Sequence, residues 1–192
     1  MKLFFVRHGE TTANLNHIYA GQSDVKLTDV GRKQAEAIRP ILEPFHFDKV
    51  YSSDLSRAID TQTLALPGVT GEQTPLIREF DVGSLVGQSY ATASTMNLLN
   101  PEGERDYSLI GGESSAMVCD RVKKFLEMLE NDPCEYVAAF AHNGTMLSML
   151  QLVIGSNYNR AAFPSSNCAI HVFEYTGTIW RLLAWNYMGE IK

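Results

Sequence analysis

A chain of 192 residues, 45% hydrophobic and 20% charged, has the make-up of a folded domain with a substantial core, which sets aside disordered and fibrous classes. Its formal charge of −6 argues against nucleic acid or an anionic membrane as partner, so the cations an anionic substrate needs must be gathered locally. The three cysteines, Cys119, Cys134 and Cys168, form no C-x-x-C pair and no zinc-ligand spacing; they are expected as reduced thiols of a cytoplasmic protein.

Residues 2–6 read as a strand that stops at once on Arg7 and His8, too short an apolar run for a signal peptide or a membrane span. A helix follows over 28–42, with Thr28 as N-cap and Pro44 as its stop. The strand at 49–52 leads into a helix over 55–66 that carries Arg57, and a third strand, 74–78, ends beside Glu79. The stretch 88–112 is polar, rich in small residues and weakly periodic, and reads as a lid over the sheet edge within a single domain of residues 1–192. Val118, Val122, Phe125, Leu126 and Leu129 give a helix over 113–131 one core-facing stripe. A strand at 136–141 ends at His142 and precedes a helix over 145–154. Strands at 169–175 and 178–185 flank Thr176 and Gly177 as a hairpin, so one of them runs antiparallel. Strands alternating with helices predict α/β architecture.

Four strand ends thus deliver Arg7 and His8, Arg57, Glu79 and His142 to one sheet edge, where open α/β sheets bind their ligands. Two guanidiniums match phosphate oxygens, and a histidine between them loses basicity, which leaves a neutral imidazole able to attack phosphorus. His142 can donate a hydrogen bond to the phosphoryl oxygens, and the helix after it aims the amides of Asn143 and Gly144 the same way. Glu79 can hold the proton for the leaving oxygen; Asp81, two residues on, is the competing carboxylate.

These residues lie in segments that resemble a known family. LFFVRHGETTAN at 3–14, GQSDVKLT at 21–28, YSSDLSRAIDT at 51–61, EFDVG at 79–83 followed by Gly87, GGES at 111–114 and AHNGT at 141–145 resemble, in order, the blocks of the histidine phosphatase superfamily, phosphoglycerate mutase-like branch. The resemblance implies a three-layer α/β/α fold around a mixed, mostly parallel six-stranded sheet with one antiparallel strand. It implies His8 as nucleophile, Arg7, Arg57 and His142 as phosphate ligands, and Glu79 as acid and later base. Asn14, Gly21 and Asn143 would line the phosphate pocket, with no cofactor and no metal.

The expected activity is hydrolysis of a small phosphomonoester. The alternatives are a phosphoglycerate mutase that retransfers the phosphoryl group, and a non-catalytic phospho-ligand module. Members of the mutase type carry a longer lid with a basic pair, whereas residues 88–112 hold one cation, Arg105, flanked by Glu104 and Asp106. Asn143 stands where many members have glycine. Tyr90, Met96 and Tyr107 are further candidate lid contacts. Glu113 is expected at a helix N-terminus, His17 and His46 in solvated loops, and His171 in a structural role; none of the histidines has a metal-binding spacing. Substrate identity and oligomeric state are not written in these motifs.

Overall fold

A computed structural model of the protein describes residues 1–101, 103–132, 134–155 and 159–189. The elements run β1 (Lys2–Arg7), α1 (Thr12–Leu15), α2 (Asp29–Ala37), α3 (Arg39–Leu42), β2 (Lys49–Ser53), α4 (Ser56–Ala65), β3 (Glu72–Thr74), α5 (Tyr90–Ser94), α6 (Ser115–Glu130), β4 (Tyr136–Ala141), α7 (Asn143–Ile154), β5 (Ile170–Tyr175) and β6 (Trp180–Tyr187). They form one six-stranded sheet in the order β3-β2-β4-β1-β5-β6. β1 to β4 are mutually parallel, while β5 pairs antiparallel with both β1 and β6. Five strands therefore point one way and β5 alone is reversed, which is the mixed, mostly parallel sheet expected from the sequence.

The period-two geometry of a strand splits β1 between two cores. Leu3 and Phe5 pack with Val118, Val122 and Phe125 of α6 and with Met146 and Met149 of α7. Phe4 and Val6 face the opposite way, toward Ala35 of α2, Leu42 of α3 and Ala65 of α4. A strand buried on both faces reads as an unbroken apolar run, and that is how residues 3–6 read. The apolar stripe of α6 is buried throughout.

The connection from β1 to β2 crosses by α2 and α3, on one face; that from β4 to β5 crosses by α7, on the other. Chains leaving the adjacent strands β1 and β4 thus diverge, which opens a crevice at their carboxyl ends. The helix placed at 113–131 runs Ser115–Glu130, the strand placed at 178–185 runs Trp180–Tyr187, and three further elements differ for reasons the sequence supplies or in where they start. The strand placed at 74–78 ends at Thr74, because Pro75 has no N–H to continue the ladder; a 3₁₀ turn, Pro75–Ile77, carries the chain on to Glu79. The helix placed at 28–42 is broken at Ile38, since Pro40 leaves one backbone acceptor of the preceding turn without its donor. The helix placed at 145–154 begins two residues earlier, with His142 as its N-cap.

Candidate active site

His8 follows β1, and its backbone N–H reaches the Ala141 carbonyl at the end of β4 at 3.0 Å, which ties the two strand ends together. The next residue must be glycine: a Cβ on Gly9 would lie 2.4 Å from the Gly31 carbonyl oxygen, and one on Gly31 would lie 2.0 Å from that of Glu10. Backbone-to-backbone contact at this point lets the start of α2 close over the loop that holds His8. The His8 ring is buried, and its Nδ1 sits 2.7 Å from the Gly9 carbonyl oxygen. A carbonyl only accepts, so Nδ1 carries the proton and Nε2 keeps a free lone pair. Burial, then Arg57 and Arg7, hold His8 well below the usual histidine range, so the ring is neutral.

Arg57, in the first turn of α4, is enclosed and donates to the carbonyls of Ser23 (3.0 Å) and Gly21 (2.7 Å). Burial lowers it from the ordinary guanidinium value to about 10, against the opposing pull of Glu79. Arg7 donates from one terminal nitrogen to the Ser165 carbonyl, and its Nε is buried without a partner. Among the described residues neither arginine has a carboxylate within ion-pair distance. Two cations withdrawn from water without a direct ion pair favour an anion between them.

Glu79 accepts hydrogen bonds from the Phe80 N–H at 2.9 Å and from the Gly144 N–H at 3.1 and 3.2 Å. The amide of Gly144, expected to point at phosphate oxygens, is therefore occupied by this carboxylate. A Cβ at Gly144 would stand 2.1 Å from Glu79 Oε1, so only glycine permits the contact. Glu79 and Asp81 are separated plainly by position. Glu79 faces the cavity, whereas Asp81 is absent from its wall and turns Oδ1 back to the Gly83 N–H at 2.9 Å.

Glu113 does not serve the helix end, which Ser114 caps. Its carboxylate pairs with Arg121 at 2.9 and 3.1 Å and accepts the Asp81 N–H at 2.8 Å. Arg121 and Gln22 then both donate to the Glu79 main-chain carbonyl, at 3.0 and 3.1 Å. Gln22 is fixed in turn by Arg78, which forks onto Asp54 at 2.7 and 2.6 Å.

A cavity of about 460 Å³ opens over these groups and is walled by Arg7, His8, Asn14, Gly21, Arg57, Glu79, Asn143 and Gly144, with Tyr19, Tyr90, Arg105 and Tyr107 farther out. Asn14 closes a capping box on Thr11 and accepts the Thr11 N–H through Oδ1, which leaves its amide NH₂ as the donor available to a ligand. His142, expected in the wall, is fully enclosed behind His8, with ring centroids 5.2 Å apart. Burial and then Arg57 keep it neutral, and both its ring nitrogens lack a protein partner.

The sequence profile of the histidine phosphatase superfamily (branch 1) matches residues 3–188. The chain belongs to that superfamily. Among its relatives, a 2,3-bisphosphoglycerate-dependent phosphoglycerate mutase of Cytophaga hutchinsonii is 35% identical over 62% of this chain, and the match spans 60% of that protein's own length. A broad-specificity phosphatase of Saccharomyces cerevisiae is 26% identical over 91% of this chain and 80% of its own. The solved structure of a mycobacterial glucosyl-3-phosphoglycerate phosphatase, in complex with VO3, superposes with a TM-score of 0.83 at 26% identity, covering 96% of this chain and 98% of that one.

Several residues that position the site in this histidine phosphatase superfamily member have no sequence signal of their own. Thr61 accepts the Gly9 N–H at 3.0 Å and donates to the Arg57 carbonyl at 2.7 Å, so one hydroxyl joins the loop that carries His8 to α4. Asn167 donates to the His8 carbonyl at 3.1 Å. His171 is buried as expected, accepts the Asn186 N–H at Nδ1, and donates from Nε2 to Ser165, whose carbonyl holds Arg7. His17 and His46 are exposed. Among the described residues no group of three or more His, Cys, Asp or Glu is placed to hold a metal ion, and no helix is long and apolar enough to cross a membrane.

Proposed function

We propose that the protein is a phosphomonoester hydrolase that works through a phosphohistidine at His8 and needs no metal ion. One observation carries the reading: a neutral His8, its Nε2 lone pair free, lies between two arginines withdrawn from water that have carbonyl partners but, among the described residues, no carboxylate within ion-pair distance. A phosphate fills that gap, its oxygens taken by the two guanidiniums and the Asn14 amide. Nε2 attacks phosphorus as the ester P–O bond breaks, and the departing oxygen takes a proton from Glu79. Water then attacks the phosphorus, Glu79 takes one of its protons, and the N–P bond breaks to return His8. A phosphoryl group on His8 also gives His142 the acceptor its ring nitrogens lack.

Retransfer to a second phosphorylated molecule, as in the mutase relative, asks for more positive charge in the outer cavity. Arg105 is the one cation of that outer wall among the described residues, which favours release to water. Brief exposure to a labelled phosphomonoester in EDTA should mark His8 with a phosphoryl group that survives alkali and is lost in acid. Phosphate should be released without a bisphosphate primer. Full turnover by His8→Ala would refute the mechanism.

A further inference from the structure

The catalytic cavity continues into a second chamber of about 190 Å³, and the two share Tyr19, Tyr90, Arg105 and Tyr107 as a common wall. The far side of this chamber is formed by Ala93, Met96, Leu98 and Leu99, with Ser94 as its remaining polar residue. The shared tyrosines are set edge-to-face around Tyr19, at 4.9 Å from Tyr90 and 6.5 Å from Tyr107, which leaves ring surfaces and edges to meet a guest. The two carboxylates beside Arg105 are engaged elsewhere. Glu104 accepts from Gln151 at 2.6 Å, and Asp106 caps the Ser108 N–H at 2.9 Å. The acidic neighbours of Arg105 are thus turned away from this corner, and among the described residues Arg105 is the one charged group in the chamber's wall.

Met96 and Leu99 are 39% and 54% exposed, an unusual placement for large apolar groups that face a cavity beside a polar catalytic centre. A benzene ring fits in a cavity of about 150 Å³, so a chamber of about 190 Å³ has room for one six-membered ring with a small substituent. Met96, Leu98, Leu99 and the faces of the tyrosine rings offer such a ring apolar contact, while Ser94, Arg105 and the tyrosine hydroxyls are the polar groups of the same wall. Resting on the hydrolase reading, we propose that the chamber is a leaving-group subsite, and that the preferred substrates are phosphomonoesters whose alcohol carries an apolar, ring-sized group.

The test uses stable phosphonates in place of esters, so that it does not depend on turnover. Binding of 2-phenylethylphosphonate and of ethylphosphonate to the full-length protein is measured by calorimetry, and the matching phosphate esters are then assayed for hydrolysis. The ring-bearing phosphonate should bind about 10–100-fold more tightly, the usual effect of burying a side-chain-sized apolar group. The double variant Met96→Ser, Leu99→Ser should lose most of that advantage while binding ethylphosphonate as the wild type does. Leu109→Ser, a 91% exposed residue outside both chambers, should change neither. Equal affinity for the two phosphonates, or an equal loss of both in the double variant, would overturn the subsite. Tight, ring-dependent phosphonate binding with no hydrolysis of either ester would instead overturn the hydrolase reading and leave the subsite standing.

Discussion

Gly144→Ala tests the geometry at the smallest scale the chain offers, one added methyl group. Gly144 lies in the first turn of α7 and is not among the residues with positive φ, so alanine meets no backbone penalty and gains up to about 1 kcal/mol of helix propensity. The cost is steric. The new Cβ would stand 2.1 Å from Glu79 Oε1 and 2.4 Å from Phe80 Cδ2, closer than real Cβ contacts come. Overpacking of this kind costs about 1–3 kcal/mol, so the net loss is at most about 3 kcal/mol and the melting temperature should fall by no more than about 12 °C. Function should suffer more. The carboxylate must retreat by roughly an ångström, and a misplacement of that size costs about 10²-fold in rate. With an alkyl phosphate, kcat/KM should therefore drop about 10²-fold, whereas inhibition by vanadate should stay within about threefold, because the methyl does not approach Arg7, Arg57 or His8. A variant that hydrolyses alkyl phosphates at the wild-type rate would show that the Gly144 contact does not set the position of the acid. Equal losses of turnover and vanadate affinity would point to a general collapse of the site.

Glu79→Gln should slow transfer from an alkyl phosphate by about 10²–10⁴-fold, the worth of general acid catalysis, and the nitrophenol burst from an aryl ester far less. Asp81→Asn should do neither; leaving-group dependence in that variant would move the acid to the wrong side of the Phe80 turn. Stability should fall with acid in the range where histidines titrate. Burial drops His171 to about 3 in the folded protein and holds His8 and His142 well below 6.5, so the unfolded chain binds more protons as pH falls through 6.5. Each of these histidines should remove about 1.4 kcal/mol per pH unit between pH 6 and 5, and His171→Gln should flatten the urea-measured slope by that amount. An unchanged slope would mean that His171 is already protonated in the fold.

The strands that carry the chemistry were legible because their signals were strong and local. Residues 3–6 and 136–141 are uninterrupted apolar runs that end on a charged or polar residue, and β1 and β4 fall there. The third strand was misplaced because 74–78 is a short apolar run between polar residues, yet Pro75 and the Thr74 hydroxyl, which accepts the Leu76 N–H, turn it into a 3₁₀ segment. At Pro40 the helical period continues through a break that only the missing N–H reveals. Patterns of hydrophobicity register which face is buried and are blind to a single absent donor.

The site divides along a similar physical boundary. Residues that face the ligand were legible, since phosphate chemistry narrows the choice to arginine, histidine and a carboxylate, and Arg7, His8, Arg57 and Glu79 converge on one cavity. Residues that hold those groups in place were not, because any donor or acceptor of suitable reach would serve. Glu113 is the clearest case. Its place just before a helix suggests a charge–dipole role, but its carboxylate points at Arg121, eight residues along the chain, and at the backbone of Asp81. Glu113 precedes the Ser114 N-cap and lies outside the helix, so its side chain reaches back over the first two turns of α6 to close a bidentate pair with Arg121. That pair, with 14% and 15% of the two side chains exposed, hands the remaining Arg121 donors to the carbonyls of Leu76 and Glu79. The fold thus fixes Glu79, the proposed proton donor, by the backbone as well as by the carboxylate. This explains how Glu79 holds its orientation at the end of an irregular loop, with neither a strand nor a regular helix beneath it.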